Sequence, residues 1–385
     1  MNRVMKKIEK ALNLGHEIVK YYGLFPLAYM KYRKRNIYLI SERGDDARDN
    51  GYHFFKYIRK NYPEMEAYYI IDKDSVDYSK IKNLGNAIQK NSINHYLLFI
   101  AAKYKISTHI FGYAPNSMLY ASFPNLLNIK GKKIFLQHGV IKDDLPQLYK
   151  EKTKLDLFIC GAKPEYDFIK EFFHYTNEVK YTGLARYDNL HEFETKKQIL
   201  IMPTWRAYLS NREEVKTSNY VTSWNSLLNN ERLIRKLEKN NIELIFYPHY
   251  EMQKYVDLFY SKNRFVKIAD FNNYDVQTLL KESKLLITDY SSVYFDFAYM
   301  KKPILYYQFD IQEFTSKHYS KGYFDYDSMG FGEKVERESE LVNLIEKYIE
   351  NGFVLQDKYK LRDEKFFALH DKKNCERIFQ EIEKL

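Results

Sequence analysis

Cysteine is nearly absent: Cys160 and Cys375 are the whole complement in 385 residues. That excludes a disulfide scaffold, and without a CxxC pair it excludes a thiolate zinc site; such usage fits a reduced, cytosolic compartment. Long hydrophobic runs are missing too. The longest, such as YYGLFPLAYM at 21–30, reach about ten residues against the roughly twenty of a membrane-spanning helix. No apolar core follows the early lysines, so a signal peptide is not expected, nor is a membrane crossing. Walker, GxSxG and GxGxxG motifs do not occur, and there is no short-period repeat or low-complexity tract. No His, Asp or Glu cluster has metal-ligand spacing. Asp45-Asp46 and Asp143-Asp144 are adjacent acidic pairs without the DxD interval. The expectation is chemistry without a metal or other cofactor.

What is present is enough for two domains. Hydrophobic residues make up 45%, and 61 Lys+Arg against 51 Asp+Glu give a formal charge of +10. This balance suits a polyanionic partner: nucleic acid, an acidic membrane or a phosphate-rich substrate. With no recognised nucleic-acid module, nucleic acid is the weakest of the three. The 37 Tyr and 26 Phe are compatible with an AT-rich coding sequence and carry little functional weight. Residues 1–36 hold Arg3, Lys6, Lys7, Lys10, Lys20, Lys31, Arg33, Lys34 and Arg35 against Glu9 and Glu17, with Val4, Ile8 and Leu12 at four-residue spacing. That pattern predicts either a helix lying on an anionic bilayer or an ordinary surface helix.

From Arg35 onward, short apolar runs alternate with amphipathic stretches. RNIYLIS (35–41), EAYYIID (66–72), KISTHIF (105–111), KKIFLQHG (132–139) and DLFICGA (156–162) read as buried strands. A second series comprises QILIMPTW (198–205), IELIFYPH (242–249), RFVKIA (264–269), KLLITD (284–289) and PILYYQ (303–308), with helices over 221–239, 274–282 and 291–301. The alternation predicts an α/β protein of two doubly wound, Rossmann-like domains facing a cleft. The expected units are a basic segment over 1–36, a first domain over 37–194, a second over 195–354 and a helix over 355–385 crossing back to the first. LSNREEVKTSNY (209–220) reads as a mobile polar loop, and residues 312–333 as a long loop of functional type.

Open α/β sheets bind ligands at strand C-termini, and four stretches end there. In KLLITDYSS, the hydroxyls of Ser291 and Ser292 and the free N–H groups of the next helix suit phosphate; the bland alternative is a simple helix cap. Asp289 beside such a seat suits a hydroxyl or another protein group better than a phosphate. In LQHGVIKDDL, His138 precedes Gly139 at a strand end, as either a proton acceptor near neutral pH or a structural ring bonded to a carbonyl. IFYPHYEM places His249 at a strand end of the other half, so the two histidines could act as a base and a cationic stabiliser. In IMPTWRAYL, Arg206 offers either a fork for phosphate oxygens or a solvated surface charge.

These residues resemble a known family. LITDYSSVYFDFAYMKKPILYYQFD (286–310) is similar to the signature of the CDP-glycerol glycerophosphotransferases, the primases and polymerases of teichoic acids and related capsules. SKGYFDYDSMGFGE (320–333), GDDARDNGYHFFKYIRKNYPEMEAYYIID (44–72) and weaker matches at 136–145, 201–206 and 246–250 follow in order. The resemblance implies a GT-B fold and transfer of an alditol phosphate from CDP-glycerol or CDP-ribitol to a lipid-linked or saccharide hydroxyl. The enzyme would work at the inner face of a bacterial membrane, held there by its basic N-terminal segment. It implies His138 and His249 as catalytic, with Thr288, Asp289, Ser291, Ser292 and Arg206 at the donor nucleotide and its diphosphate. Gly139 and Lys142 fall on the acceptor side, where His-Gly-Val-Ile-Lys departs from the family's HGTPLK, as Phe331 does from its proline-glycine turn. A GT-B glycosyltransferase using a nucleotide sugar such as CMP-sialate, and a non-catalytic membrane- or polymer-binding relative, remain the alternatives.

Overall fold

The computed structural model describes residues 3–117, 120, 129–317 and 321–385, with the side chains of residues 1–11 outside the description. Among the described residues, thirteen strands form two parallel sheets. The first contains β1 (Tyr38–Ser41), β2 (Ala67–Ile71), β3 (Ala87–Gln89), β4 (Tyr104–Ser107), β5 (Lys132–Phe135), β6 (Leu157–Cys160) and β7 (Val179–Tyr181), in the order β3-β2-β1-β4-β5-β6-β7. The second contains β8 (Gln198–Ile201), β9 (Glu243–Phe246), β10 (Val266–Ile268), β11 (Leu285–Thr288), β12 (Ile304–Tyr307) and β13 (Gly332–Val335), in the order β10-β9-β8-β11-β12-β13. Central strands such as YLIS, LFIC, QILI, LLIT and ILYY are buried along their whole length. Helices cover both faces, so continuous apolar runs are what these positions demand. This is the expected pair of Rossmann-like domains in a GT-B-like arrangement.

The strand order reverses between β1 and β4 in the first sheet and between β8 and β11 in the second. Neighbouring chain ends diverge at such points and leave a crevice. The loops after β1, β4 and β5 meet those after β8, β9 and β11 there.

Differences from the sequence reading lie mainly at caps and short edges. β3, β7 and β13 have three or four residues each, too short for a periodic signal. The 221–239 helix is two helices, Asn219–Leu228 and Glu231–Asn240, because Asn230 caps the second by accepting from the Leu233 N–H. The 209–220 loop holds the helix Arg212–Lys216, capped by Asn211. The 312–333 stretch opens inside the helix Ile311–Lys317 and ends in β13, so its loop is shorter than expected. The C-terminal stretch is two helices, Asp357–Phe366 and Asn374–Glu383. The last lies on the first domain: the Asp188 carboxylate accepts from the N–H groups of Asn374 and Cys375 at 2.8 and 2.9 Å, and Phe379 stacks on Tyr62.

At the other end, Arg3–Tyr32 is one long helix. Its inner face packs on the helix Ile93–Ala101, where Tyr21 meets Phe99 and Glu17 accepts from the Tyr96 hydroxyl at 2.7 Å. Val4 and Ile8 of the expected apolar face lie among the side chains outside the description. Among the described residues no helix is long and apolar enough to cross a membrane.

Candidate active site

Two connected chambers, of about 210 and 350 Å³, occupy the crevice. They share His109, His138, His249, Ser291 and Ser292 as common wall. The smaller is closed by Arg43, Arg48 and Arg186 from the first domain and by Tyr247, Phe271 and Gln277 from the second. The larger is bounded by the loop 137–143 and by Thr204, Trp205, Tyr290 and Phe314. The structure thus brings together His138, Gly139, Lys142, His249, Ser291 and Ser292, each at or just beyond the end of a strand.

His138 follows β5 and is held from three sides. The Thr108 backbone beside its ring favours the protonated form, but less than burial opposes it. Its own carbonyl accepts from Arg186 Nη1 at 3.0 Å. The His109 ring stacks on it at 4.9 Å and 13°. Burial, then the Arg43 and Arg186 charges, lower His138 to about 4, so the ring is neutral at pH 7. His109 is pushed down to about 2 by burial, then by His138 and Arg43. It accepts from Arg43 Nε at 3.3 Å and shares a hydrogen with the Thr108 hydroxyl at 2.9 Å. A neutral, fully engaged ring therefore faces His138.

The loop carrying His138 is pinned by buried side chains. Asn50 donates to the Gln137 carbonyl at 2.8 Å, and Glu165 accepts from the Ile141 and Gly161 N–H groups at 2.5 and 2.6 Å. Gly139 is needed for close approach, since a Cβ there would meet Ser292 Oγ at 2.9 Å. Lys142 is 8% exposed, with its ammonium 2.6 Å from the Asp143 carboxylate. On the other wall, His249 begins a helical segment and its Nδ1 accepts from the Glu251 N–H at 3.2 Å. In the neutral ring the proton therefore sits on Nε2, as a donor. The indole of Trp205 lies parallel to it at 6.2 Å.

Three of the sequence-derived donor residues lie elsewhere. Arg206 does not face the cleft; it is fully buried, paired with Asp289 at 2.9 Å and with Asp310 at 2.6 and 3.0 Å, and it donates to the Thr204 carbonyl. Its guanidinium is needed to neutralise two buried carboxylates, which outweighs any surface role. Asp289 also accepts from the Thr204 and Tyr290 N–H groups at 2.7 and 2.5 Å, so it shapes the seat from behind. Thr288 is buried, and its hydroxyl donates to the Met202 carbonyl at 2.7 Å. Of the four residues expected there, only Ser291 and Ser292 reach the chambers, and Tyr290 between them and Asp289 lines the larger one.

The sequence reading missed the groups joining the halves. Arg186, in the segment after β7, donates to Asp296 of the helix Val293–Tyr299 at 2.5 and 2.8 Å and pairs with Asp49. Arg48 donates to the Phe271 and Tyr274 carbonyls at 3.0 and 3.1 Å and lies over the Phe271 ring. An acidic residue inside the aromatic run VYFDFAY was the one available hint. Among the described residues no group of three or more His, Cys, Asp or Glu is gathered as a metal site.

Comparison with known proteins agrees with this fold. The chain is 37% identical over 367 residues to the minor teichoic acid biosynthesis protein GgaB of Bacillus subtilis (strain 168), covering 91% of this chain and 40% of that protein. It is 24% identical over 425 residues to the teichoic acid poly(glycerol phosphate) polymerase of the same strain, covering 99% of this chain and 53% of that one. It thus spans about half or less of the length of these two relatives. The structure of the wall teichoic acid polymerase TagF superposes with a TM-score of 0.72 at 18% identity, covering 99% of this chain and 98% of that one, which establishes a shared fold. A structure of a TagF variant soaked with CDPG superposes at 0.67 with 19% identity. The profile of the CDP-glycerol:poly(glycerophosphate) glycerophosphotransferases matches residues 24–384, and the chain belongs to that family.

Proposed function

We propose that the protein transfers an alditol phosphate, glycerol phosphate foremost, from a CDP-alditol to a hydroxyl of a lipid-linked or saccharide acceptor in teichoic acid or capsule synthesis. The observation that carries this reading is the pair of histidines, one from each domain, on the wall shared by the two chambers. His138, neutral at pH 7, and His249 both lie there beside Ser291 and Ser292. The acceptor oxygen attacks the β-phosphorus and its proton passes to His138. The bond from that phosphorus to the bridging oxygen breaks, and CMP leaves with the electron pair. His249, Ser291 and Ser292 donate to the phosphate oxygens as charge moves onto CMP. Lys142 borders the acceptor side, and the proposed step uses no metal ion. Positioning and electrostatic stabilisation supply most of the acceleration in such transfers.

A low His138 pKa serves this role by keeping the ring unprotonated, and the diphosphate raises its basicity on binding. The test is CMP release from CDP-glycerol and CDP-ribitol with a mixed lipid-linked acceptor. Wild type should release CMP from one donor, and His138→Ala should lower kcat by about 10²- to 10⁴-fold with the fold intact by circular dichroism. Undiminished release in the variant would remove His138 as the base. No release from either donor would overturn the reaction.

We also propose that the chain works at the inner face of the membrane. The outward face of the helix Arg3–Tyr32 exposes Leu12, Val19, Tyr22, Leu27 and Met30, with Lys20, Lys31 and Arg33 along its flanks. Apolar residues bordered by cations suit an anionic bilayer.

A further inference from the structure

The larger chamber has walls unlike those a polyanion needs. Ile110, Ile141 and Leu145 line it from the first domain, and Trp205, Tyr290 and Phe314 from the second. The walls are set in advance. Tyr290 and Phe314 stack face to face at 3.7 Å and 7°, and Glu165 fixes the backbone of Ile141. Polar groups are few: Thr108, Gln137, Gln147 and Thr204, besides the histidines and serines of the shared wall. Among the described residues, and apart from the histidines, the one side-chain cation lining the chamber is Lys142, and the Asp143 carboxylate 2.6 Å away neutralises it.

We propose that this chamber receives an uncharged sugar ring, so that the acceptor is a glycoside hydroxyl and not the hydroxyl end of a polyol-phosphate chain. The inference rests on the phosphotransfer reading above and specifies its acceptor. In a polyol-phosphate chain the last phosphodiester lies only a few bonds from the terminal hydroxyl. It would enter the chamber with that hydroxyl, meet Asp143, and add its charge to that of the donor diphosphate. Among the described residues no uncommitted lysine or arginine lines the chamber to receive it. A hexose ring presents apolar C–H faces to the largely apolar walls, while its hydroxyl edges reach the few polar groups, the usual division of labour in a small-molecule site.

The chain contains two tryptophans. Trp224 is fully buried in the second domain and Trp205 lines the chamber, so tryptophan fluorescence reports on the chamber without requiring turnover. The full-length chain is titrated with N,N′-diacetylchitobiose as the neutral probe and with glycerophosphoglycerol as the phosphodiester probe. The disaccharide should change the emission saturably, and Trp205→Phe should abolish the change. The phosphodiester should bind about tenfold or more weakly, and Asp143→Asn should narrow that gap by freeing Lys142. Equal or tighter binding of the phosphodiester, or no saturation by the disaccharide up to about 10 mM, would overturn the proposal. CMP release from CDP-glycerol, assayed alongside, separates the two readings. Disaccharide binding without CMP release from any donor removes the transferase reading and leaves the chamber assignment. CMP release that requires the phosphodiester acceptor does the reverse.

Discussion

His138 shows how position sets chemistry. A histidine at a strand end can be structural or catalytic, and here the ring is buried against Thr108 while it lines both chambers. Because burial depresses the pKa from 6.5 to about 4, the unfolded chain takes up a proton before the native one does. The stability associated with neutral His138 is therefore complete above pH 6.5 and is lost as pH falls through about 4. The same shift predicts that kcat/KM, which reports the free enzyme, holds level from pH 8 to 6 and falls only well below 6.5. The limb for kcat should lie higher, because bound diphosphate favours the protonated ring; matching limbs near 6.5 would contradict the assignment. Arg206 gives the opposite lesson. Arg206→Ala leaves Asp289 and Asp310 unpaired in the interior, a loss of about 3–5 kcal/mol by analogy with broken buried ion pairs. Urea unfolding should show that loss, while donor affinity at temperatures where the variant stays folded should change little.

At the scale of elements, the loop after β5 and the helix Val293–Tyr299 meet through Arg186, which bonds the His138 carbonyl and the Asp296 carboxylate at once. Arg186→Ala should cost about 3–5 kcal/mol of stability. The paired replacement with Asp296→Asn should recover part of it, because one of the two orphaned charges is gone while that of Asp49 stays. Arg186→Lys keeps a charge but not the fork, so it should fold better than the alanine variant and still show reduced kcat. Long strands were legible in the sequence because residues buried on both faces must be apolar throughout, and His138, His249, Ser291 and Ser292 were legible because they follow such runs directly. Arg186 follows β7, whose sequence VKY carries no run, and its partner lies 110 positions away. His109 falls within KISTHIF, where one polar residue near a strand end looks like any other. The sequence pattern placed Arg206 one turn after a strand, but only the packing of Asp289 and Asp310 around it reveals an interior charge.

Across the whole molecule, the excess of cations and the exposed helix face belong to one argument. Val19 is 72% exposed and Met30 70%, although the buried face of the same helix holds Tyr21, Ala28 and Tyr32. Such side chains gain little in water and about 1.5–3 kcal/mol each on entering an apolar phase. Each lysine or arginine held near an anionic surface adds about 1 kcal/mol, an attraction that salt screens over a few ångströms. Co-sedimentation with phosphatidylglycerol vesicles should therefore be strong at low salt and fall by on the order of tenfold at high salt, with little binding to neutral phosphatidylcholine. Val19→Glu combined with Met30→Glu should abolish vesicle binding yet leave CMP release onto a water-soluble acceptor unchanged, since neither residue borders the cleft. Equal binding to neutral and anionic vesicles would remove the electrostatic part of this account, and unaltered binding of the double variant would remove the helix face from it.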